Sequence, residues 1–570
     1  MTTAPAQPER HHVRLLTILR AAYATLGAAL VCVAAVPTSA LTGFFEHAGR
    51  THLNNGAVLE TTRQGAQLVR VLAPVAGVAL AALALWGDRL FRGAHQRPAP
   101  GHASKADWRV LGAAFALALA LRLPLLTQSL WYDEIAAFMG YGAEGPGAAM
   151  GNYYTQANHI LQTVLSWVSV TLFGVDEVTL RLPSFVVGLF GIVAAWWLGR
   201  EAGGAAVGRG AAVAMALMPV AALEATEARG YAFMAYYATL ATATWIWARR
   251  VRSGAGWAEY AVVCALGGWS HLVTLCVPVF HGLWNAWALW RARTPEERRD
   301  CAGGFLGLVV GALLTLALYA PALPDMAAIA SEFRVREGNE PTLWSAQGLM
   351  MLEMLGGTWT WWASVAALPL LVAGAAAVRS NRSLALGVVL AGGGALVALL
   401  APVVFNSWLY ARFLTFVLPA VALVAGAGAA WLLARHRAAG VAAVALAACA
   451  WIASVVTLPP RQPLREGVAY IAQQRAPGDR ALAIGLPDDV HRWYLPSDLE
   501  MPSAGPYGRH LPEALAAVHP QWILMLYPRA MPVKVHEQLR QAGYQRVLEL
   551  PGWIDHGDGR VVVLHGPQQP

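Results

Sequence analysis

The sequence predicts a polytopic α-helical membrane protein that ends in a small α/β domain. Of its 570 residues 57% are hydrophobic and only 13% charged. Apolar windows of about 17 to 25 residues, each enough to cross a bilayer, recur through the first four-fifths of the chain. After Leu458-Pro459-Pro460 the composition turns to ordinary soluble usage. A mean hydropathy of +0.46 departs from soluble domains in the same direction.

The windows lie near residues 15–37, 68–87, 109–127, 182–199, 210–225, 231–248, 257–272, 273–290, 302–320, 361–378, 384–404, 412–434 and 438–457. Each is expected to be a helix, because a backbone in lipid must satisfy its own hydrogen bonds. The first follows basic residues without an obvious small-residue cleavage pattern, so it reads as a retained span. Arg89, Arg92, Arg97, Lys105 and Arg109 fill one loop. Arg200 with Arg209, Arg249 to Arg252, Arg291 to Arg299, Arg379 with Arg382, and Arg435 with Arg437 fill alternate later ones. These loops are expected to be cytoplasmic by the positive-inside rule, with the N-terminus on the same side. That arrangement requires the short apolar segment Ile160–Phe173 to lie at the interface rather than span.

The net charge of +8 is spread over these short clusters and forms no continuous stripe, so a nucleic-acid partner is not expected. Cys32, Cys264, Cys276, Cys301 and Cys449 lie in or beside apolar runs with no CxxC spacing, which argues against disulfides and a zinc site. In the C-terminal part, strands are predicted at 481–486, 521–527, 545–550 and 560–564, and helices at 463–475, 511–518 and 532–542. A Pro/Gly/Ala-rich linker covers 93–106. The domain plan is therefore a two-helix extension over 1–107, a membrane core over 108–458 with a large loop at 127–181, and an α/β domain over 459–570.

The side opposite the basic loops collects the polar features. The apolar stretch 110–126 runs directly into Ser129-Leu-Trp-Tyr-Asp-Glu134, a pair of carboxylates where a span meets water. Glu224-Ala-Thr-Glu227-Ala-Arg229-Gly-Tyr231, His271, residues 321–360 and Asn406-Ser-Trp-Leu-Tyr410-Ala-Arg412 fall on that side too. Each has a plain alternative: Asp133 as a helix cap, Arg412 as a snorkelling side chain, His271 as a packing residue. Ionisable groups at membrane depth nevertheless mark function more often than those in soluble domains.

Taken in order, these segments resemble a family. Trp131-Tyr-Asp-Glu, Asn158-His159-Ile-Leu-Gln, Leu172-Phe-Gly and Arg181-Leu-Pro-Ser184 are similar to the first extracytoplasmic loop of the GT-C membrane glycosyltransferases related to protein O-mannosyltransferases and lipid A aminoarabinose transferases. Glu227-Ala-Arg229-Gly-Tyr231, His271, Arg412-Phe413 with Pro419, and Pro463-Leu-Arg-Glu-Gly-Val-Ala-Tyr continue the resemblance over about residues 108 to 490. Residues 1–107 are an addition to the family pattern. Gln156-Ala-Asn158-His159 stands where many members have histidine or lysine followed by prolines, which leaves the donor sugar open.

The resemblance implies a GT-C core in a bacterial inner (plasma) membrane with an extracytoplasmic C-terminal domain. It implies an inverting transfer of a sugar from a polyisoprenyl phosphate donor to a protein, lipid or polysaccharide acceptor. Asp133 is the candidate base, with Glu134 beside it; Arg229 and Arg412 are candidates for the leaving phosphate, since a planar guanidinium can bind two of its oxygens. Glu227, Tyr231, His271, His159 and Asn158 are the remaining candidates for donor binding. No cofactor is expected to be obligatory; a divalent metal is possible, with Asp133, Glu134, Glu224 and Glu227 on one face. The competing class is a transporter or lipid flippase using the acidic and arginine side chains as an ion relay, for which internal repeats and broken midplane helices would be expected.

Overall fold

The computed structural model describes residues 7–91, 102–155, 157–330, 361–405, 410–485, 490–554 and 557–566. Residues 331–360 of the predicted loop, most of the linker at 93–106, and 406–409 lie outside the described residues. The chain is a multi-pass helical protein with a small C-terminal sheet. In order, the helices are α1 (Gln7–Cys32), α2 (Thr38–Phe45), α3 (Ala48–Leu53), α4 (Glu60–Trp86), α5 (Lys105–Arg122), α6 (Tyr132–Ala137), α7 (Pro146–Gly151), α8 (Ile160–Phe173), α9 (Glu177–Gly203), α10 (Ala205–Leu217), α11 (Pro219–Ala225) and α12 (Tyr231–Val251). They continue with α13 (Gly254–Ser270), α14 (Cys276–Arg291), α15 (Pro295–Tyr319), α16 (Leu323–Ala328), α17 (Trp361–Ser380), α18 (Arg382–Gly392), α19 (Gly394–Phe405), α20 (Leu418–Arg435) and α21 (Arg437–Val456).

Ten helical segments among the described residues are long and apolar enough to cross a membrane. The other three predicted windows fall on α10 with α11, on α12 and on α13, and the physical reasons differ. Pro219 breaks the first of them after 13 residues. Proline lacks an N–H and so orphans the carbonyl four residues back; the buried Arg122 of α5 donates to that carbonyl, Met215 O, at 3.0 Å. α12 and α13 are buried along most of their length, so they need not be as apolar as helices that face lipid. The 14 residues of α8 span about 21 Å, short of the ~30 Å hydrocarbon layer.

Small residues set the closest helix crossings, as expected where lipid supplies no hydrophobic drive between helices. A Cβ added at Gly27 of α1 would lie 2.5 Å from Gly77 O of α4, and one at Gly210 of α10 would lie 2.6 Å from the Gly426 Cα of α20. The predicted cytoplasmic arginines gather at one end of the bundle, where several are paired. The buried Asp107 accepts from Arg200 at 3.2 Å and Arg209 at 3.0 Å; Glu201 pairs with Arg250 at 3.0 Å and Asp300 with Arg252 at 2.9 Å.

At the opposite end stand the loop from α6 to α8 and the C-terminal unit. That unit has helices α22 (Leu464–Gln474), α23 (Leu511–Val518) and α24 (Val533–Gln541). Its strands are β1 (Ala481–Ile484), β2 (Trp522–Leu526), β3 (Gln545–Leu550), β4 (Trp553–Ile554), β5 (Gly557–Asp558) and β6 (Val561–His565). The main sheet has the order β1-β2-β6-β3, with β1 and β2 parallel and the other pairs antiparallel. Every residue of β1 and β2 is buried because both faces are covered. Leu482, Ile523 and Val562 face α23 and α24. The alternate residues Ala483, Leu524 and Val563 pack with α22 and with Leu130 and Ile135 of the acidic loop. The sheet is thereby seated on the loop that carries the acidic pair.

Removing the Asp107 side chain takes away the carboxylate that the buried Arg200 shares with Arg209. Asp107→Ala is expected to lower stability by about 3 kcal/mol, read as a lowered midpoint of thermal unfolding in detergent.

Candidate active site

Asp133 and Glu134 are the second and third residues of α6, and they part company at once. Successive helical residues point about 100° apart. The Glu134 side chain turns inward and is fully buried. Its Oε1 accepts from Arg181 Nε at 2.8 Å and from the Ala228 N–H at 2.6 Å; its Oε2 accepts from Arg181 Nη2 at 2.6 Å and from the Trp131 N–H at 3.2 Å. Arg181 spends its remaining donors on the carbonyls of Leu126, Gln128 and Ser129 at 3.0, 2.6 and 3.1 Å. Glu134, expected to work beside Asp133, is thus occupied in tying the segment after α5, the start of α6 and α9 together.

Asp133 turns the other way, partly exposed, into a cluster drawn from five chain segments. Its Oδ2 lies 3.4 Å from Arg412 Nη2 and 3.9 Å from Arg229 Nη2. Arg229, on the link between α11 and α12, also donates to Asp133 O at 3.3 Å and Ala157 O at 2.6 Å. Arg412, in the 3-10 turn before α20, donates from Nε to the Tyr231 hydroxyl at 2.9 Å, and its guanidinium lies 4.6 Å from the Tyr410 ring and 5.5 Å from the Trp131 ring. Two guanidiniums therefore converge on one carboxylate, walled by aromatic faces that favour cations.

His159 and His271 complete the cluster, their ring centroids 4.6 Å apart and each about 5 Å from Tyr231. The His159 Nδ1 accepts the Gly230 N–H at 2.7 Å, so the proton of the neutral ring sits on Nε2, 3.4 Å from Arg229 Nη2. Two donors face each other there, an arrangement completed by an acceptor such as an oxyanion. Burial first, then the charge of Arg229 with His271 and Arg412, holds the His159 pKa well below its usual value.

The other predicted residues lie outside this cluster. Asn158 braces the loop: its Nδ2 donates to Ala149 O at 2.8 Å and Asn152 O at 2.9 Å, and its Oδ1 accepts from Thr163 at 3.1 Å. Glu227 accepts from Arg461 Nε at 2.5 Å, with Glu224 3.7 Å from the same guanidinium. Among the described residues no group of three or more His, Cys, Asp or Glu side chains could hold a metal. The four carboxylates suggested for one are each paired with an arginine, Asp133 with Arg412 and Arg229, Glu134 with Arg181, and Glu224 and Glu227 with Arg461, so they do not form a donor set.

Sequence reasoning missed Arg461, which lies between the rings of Trp131 and Trp553 at 5.1 and 4.7 Å. It also missed Gln462, whose Oε1 accepts the Tyr132 N–H at 3.0 Å, and the clamp made by Arg181. A signal for Arg461 existed: Glu224 and Glu227 at the end of an apolar helix require a buried cation from elsewhere.

No protein-family model and no curated protein matches the sequence. Solved structures with a similar outline include ArnT from Cupriavidus metallidurans bound to undecaprenyl phosphate, at 14% identity and a TM-score of 0.49, covering 82% of this chain and 100% of that one. A second is the archaeal oligosaccharyltransferase AglB from Archaeoglobus fulgidus in complex with an inhibitory peptide and a dolichol-phosphate, at 12% identity and a TM-score of 0.48, covering 74% and 69%. A third is the arabinofuranosyltransferase AftD from Mycobacteria, at 18% identity and a TM-score of 0.37, covering 83% and 42%.

The lowered His159 pKa has a signed consequence. An unfolded histidine titrates near 6.5, so below that pH the unfolded chain binds a proton that folded His159 refuses, and stability falls as pH drops from about 6.5. Unfolding midpoints measured between about pH 5 and 7 should show this fall, with a shallower slope in His159→Asn.

Proposed function

We propose that the protein transfers a glycosyl group from a polyisoprenyl phosphate donor to a hydroxyl or amine acceptor at the surface opposite the basic loops. The observation that carries this reading is the convergence of Arg229 and Arg412 on Asp133 at that end of the bundle. The order of sequence motifs supports it. In this reading the N-terminus is cytoplasmic, the membrane is a bacterial inner membrane, and residues 459–570 form an extracytoplasmic unit that roofs the core of 108–458.

The chemistry asks for a base and for cations. The acceptor oxygen or nitrogen attacks the anomeric carbon as the bond from that carbon to the phosphate oxygen breaks, and the bonding electrons leave with the phosphate. Asp133 takes the acceptor's proton. The leaving phosphate gains negative charge, and Arg229 and Arg412 stabilise it where it develops, with the Nε2–H of His159 as a third donor. Tyr231 holds the Arg412 guanidinium through its Nε. Glu134, Glu227 and Asn158 support these groups from behind. One displacement inverts the anomeric centre. The acceptor is a protein, a lipid or a polysaccharide.

A transporter or flippase would hold its ion or substrate near the bilayer midplane; the groups around Asp133 lie at one end of the bundle, which favours the transferase. The purified chain, given a radiolabelled polyisoprenyl phosphate sugar and a membrane extract, is expected to yield a labelled acceptor. Asp133→Asn should lower that transfer by about a thousandfold while leaving the amount of folded protein unchanged. Near-normal turnover in that variant would remove Asp133 from the mechanism, and movement of the donor across vesicles without a labelled product would favour the flippase.

A further inference from the structure

The loop that presents His159 is made of pieces too short to hold themselves. α6 and α7 have six residues each, less than the length at which helices persist alone, and Gly145 between them has φ +112. The loop's shape depends on what packs against it, and one such neighbour is the N-terminal extension. A Cβ on Gly147 would come within 1.7 Å of Phe44 O, and one on Gly151 within 2.6 Å of the Phe45 Cβ, so α2 lies directly on α7.

Arg50 of α3 extends this contact toward the active site. Its Nη1 donates to Asn152 Oδ1 at 2.7 Å and to Asp325 Oδ2 at 2.5 Å, and its guanidinium lies 4.9 Å from the Tyr154 ring. Asp325 Oδ2 also accepts the Tyr153 N–H at 3.0 Å. Asn152 donates to Phe45 O at 3.1 Å, while its own carbonyl accepts from Asn158 at 2.9 Å. His159 follows Asn158 directly, and Ala157 O before it accepts from Arg229 at 2.6 Å. Asn152, Asn158 and Asp325 are buried, and hydrogen bonds shielded from water hold geometry firmly.

We infer that Arg50 is a positioning residue for the transfer: through Asn152 and Asn158 it sets where Ala157 O holds Arg229 and where His159 stands beside that guanidinium. The extension of residues 1–107 is then part of the transferase machinery as well as a membrane anchor. This inference rests on the function proposed above. Arg50 itself touches none of the groups assigned to the reaction. A purely structural account exists, in which Arg50 only neutralises the buried Asp325. The double variant Arg50→Ala/Asp325→Asn separates the two, because it strands no charge and keeps an acceptor for Tyr153.

The experiment compares turnover, donor KM and thermal midpoint for the full chain in detergent, using a polyisoprenyl phosphate sugar as donor. If Arg50 positions Arg229, the double variant keeps the wild-type midpoint and a donor KM within about threefold, but loses kcat by about tenfold or more. Arg50→Lys, which reaches one acceptor at a time, recovers part of that loss. A double variant with wild-type kcat, or with a loss matched by its loss of folded protein, overturns the inference. A wild-type chain that transfers nothing would instead refute the proposed function itself.

Discussion

The bidentate pair of Glu134 and Arg181 is the constraint on which the candidate active-site end depends. It buries a full negative and a full positive charge, which is tolerable only because nearly every donor and acceptor on both side chains is matched. The pair joins the segment after α5 to the start of α6 and to α9, and so fixes the rotation of α6 about its axis. With Glu134 turned inward, the neighbouring side chain is turned outward. Asp133 meets Arg229 and Arg412 as a consequence of where Glu134 is fastened.

Two bodies outside the membrane core then press on the same loop. The C-terminal unit seats its sheet on Leu130 and Ile135, sends Gln462 to the Tyr132 N–H and inserts Arg461 between two tryptophans. The N-terminal extension presses Phe44 and Phe45 onto α7 and sends Arg50 to Asn152. A loop with little regular structure of its own is thereby held from both sides. Such over-determination is what a site needs if two cations and one carboxylate are to stay converged against their tendency to relax apart.

Much of this was legible in the sequence, for identifiable reasons. Apolar length reports helices directly, so the spans were readable, and short continuous apolar runs placed the strands near 481–484 and 522–526, both buried on each face. Asp133, Arg229, Tyr231, His271 and Arg412 were readable as a group because each is polar at the end of an apolar run, on the side away from the basic loops. Glu134 and Glu227 carried the same signal but have partners, and a partner far along the chain leaves no local trace: Arg181 is 47 residues from Glu134 and Arg461 is 234 from Glu227. The 210–225 window was read as one helix, so both the break at Pro219 and the arginine that repairs it were missed. Arg50 lay in the segment 1–107, outside the family resemblance, and only its contacts gave it a role.

In the proposed function the groups around Asp133 form a site for a phosphate monoester or diester on an isoprenyl chain. The most direct measurement is the binding of an unglycosylated isoprenyl monophosphate to the purified protein in detergent, compared between wild type, Arg412→Ala and Asp133→Asn. Arg412→Ala is expected to weaken binding by about tenfold or more, and Asp133→Asn to leave it unchanged or tighten it, since a competing carboxylate is gone. Binding indifferent to Arg412, or abolished by Asp133→Asn in a folded protein, would contradict it.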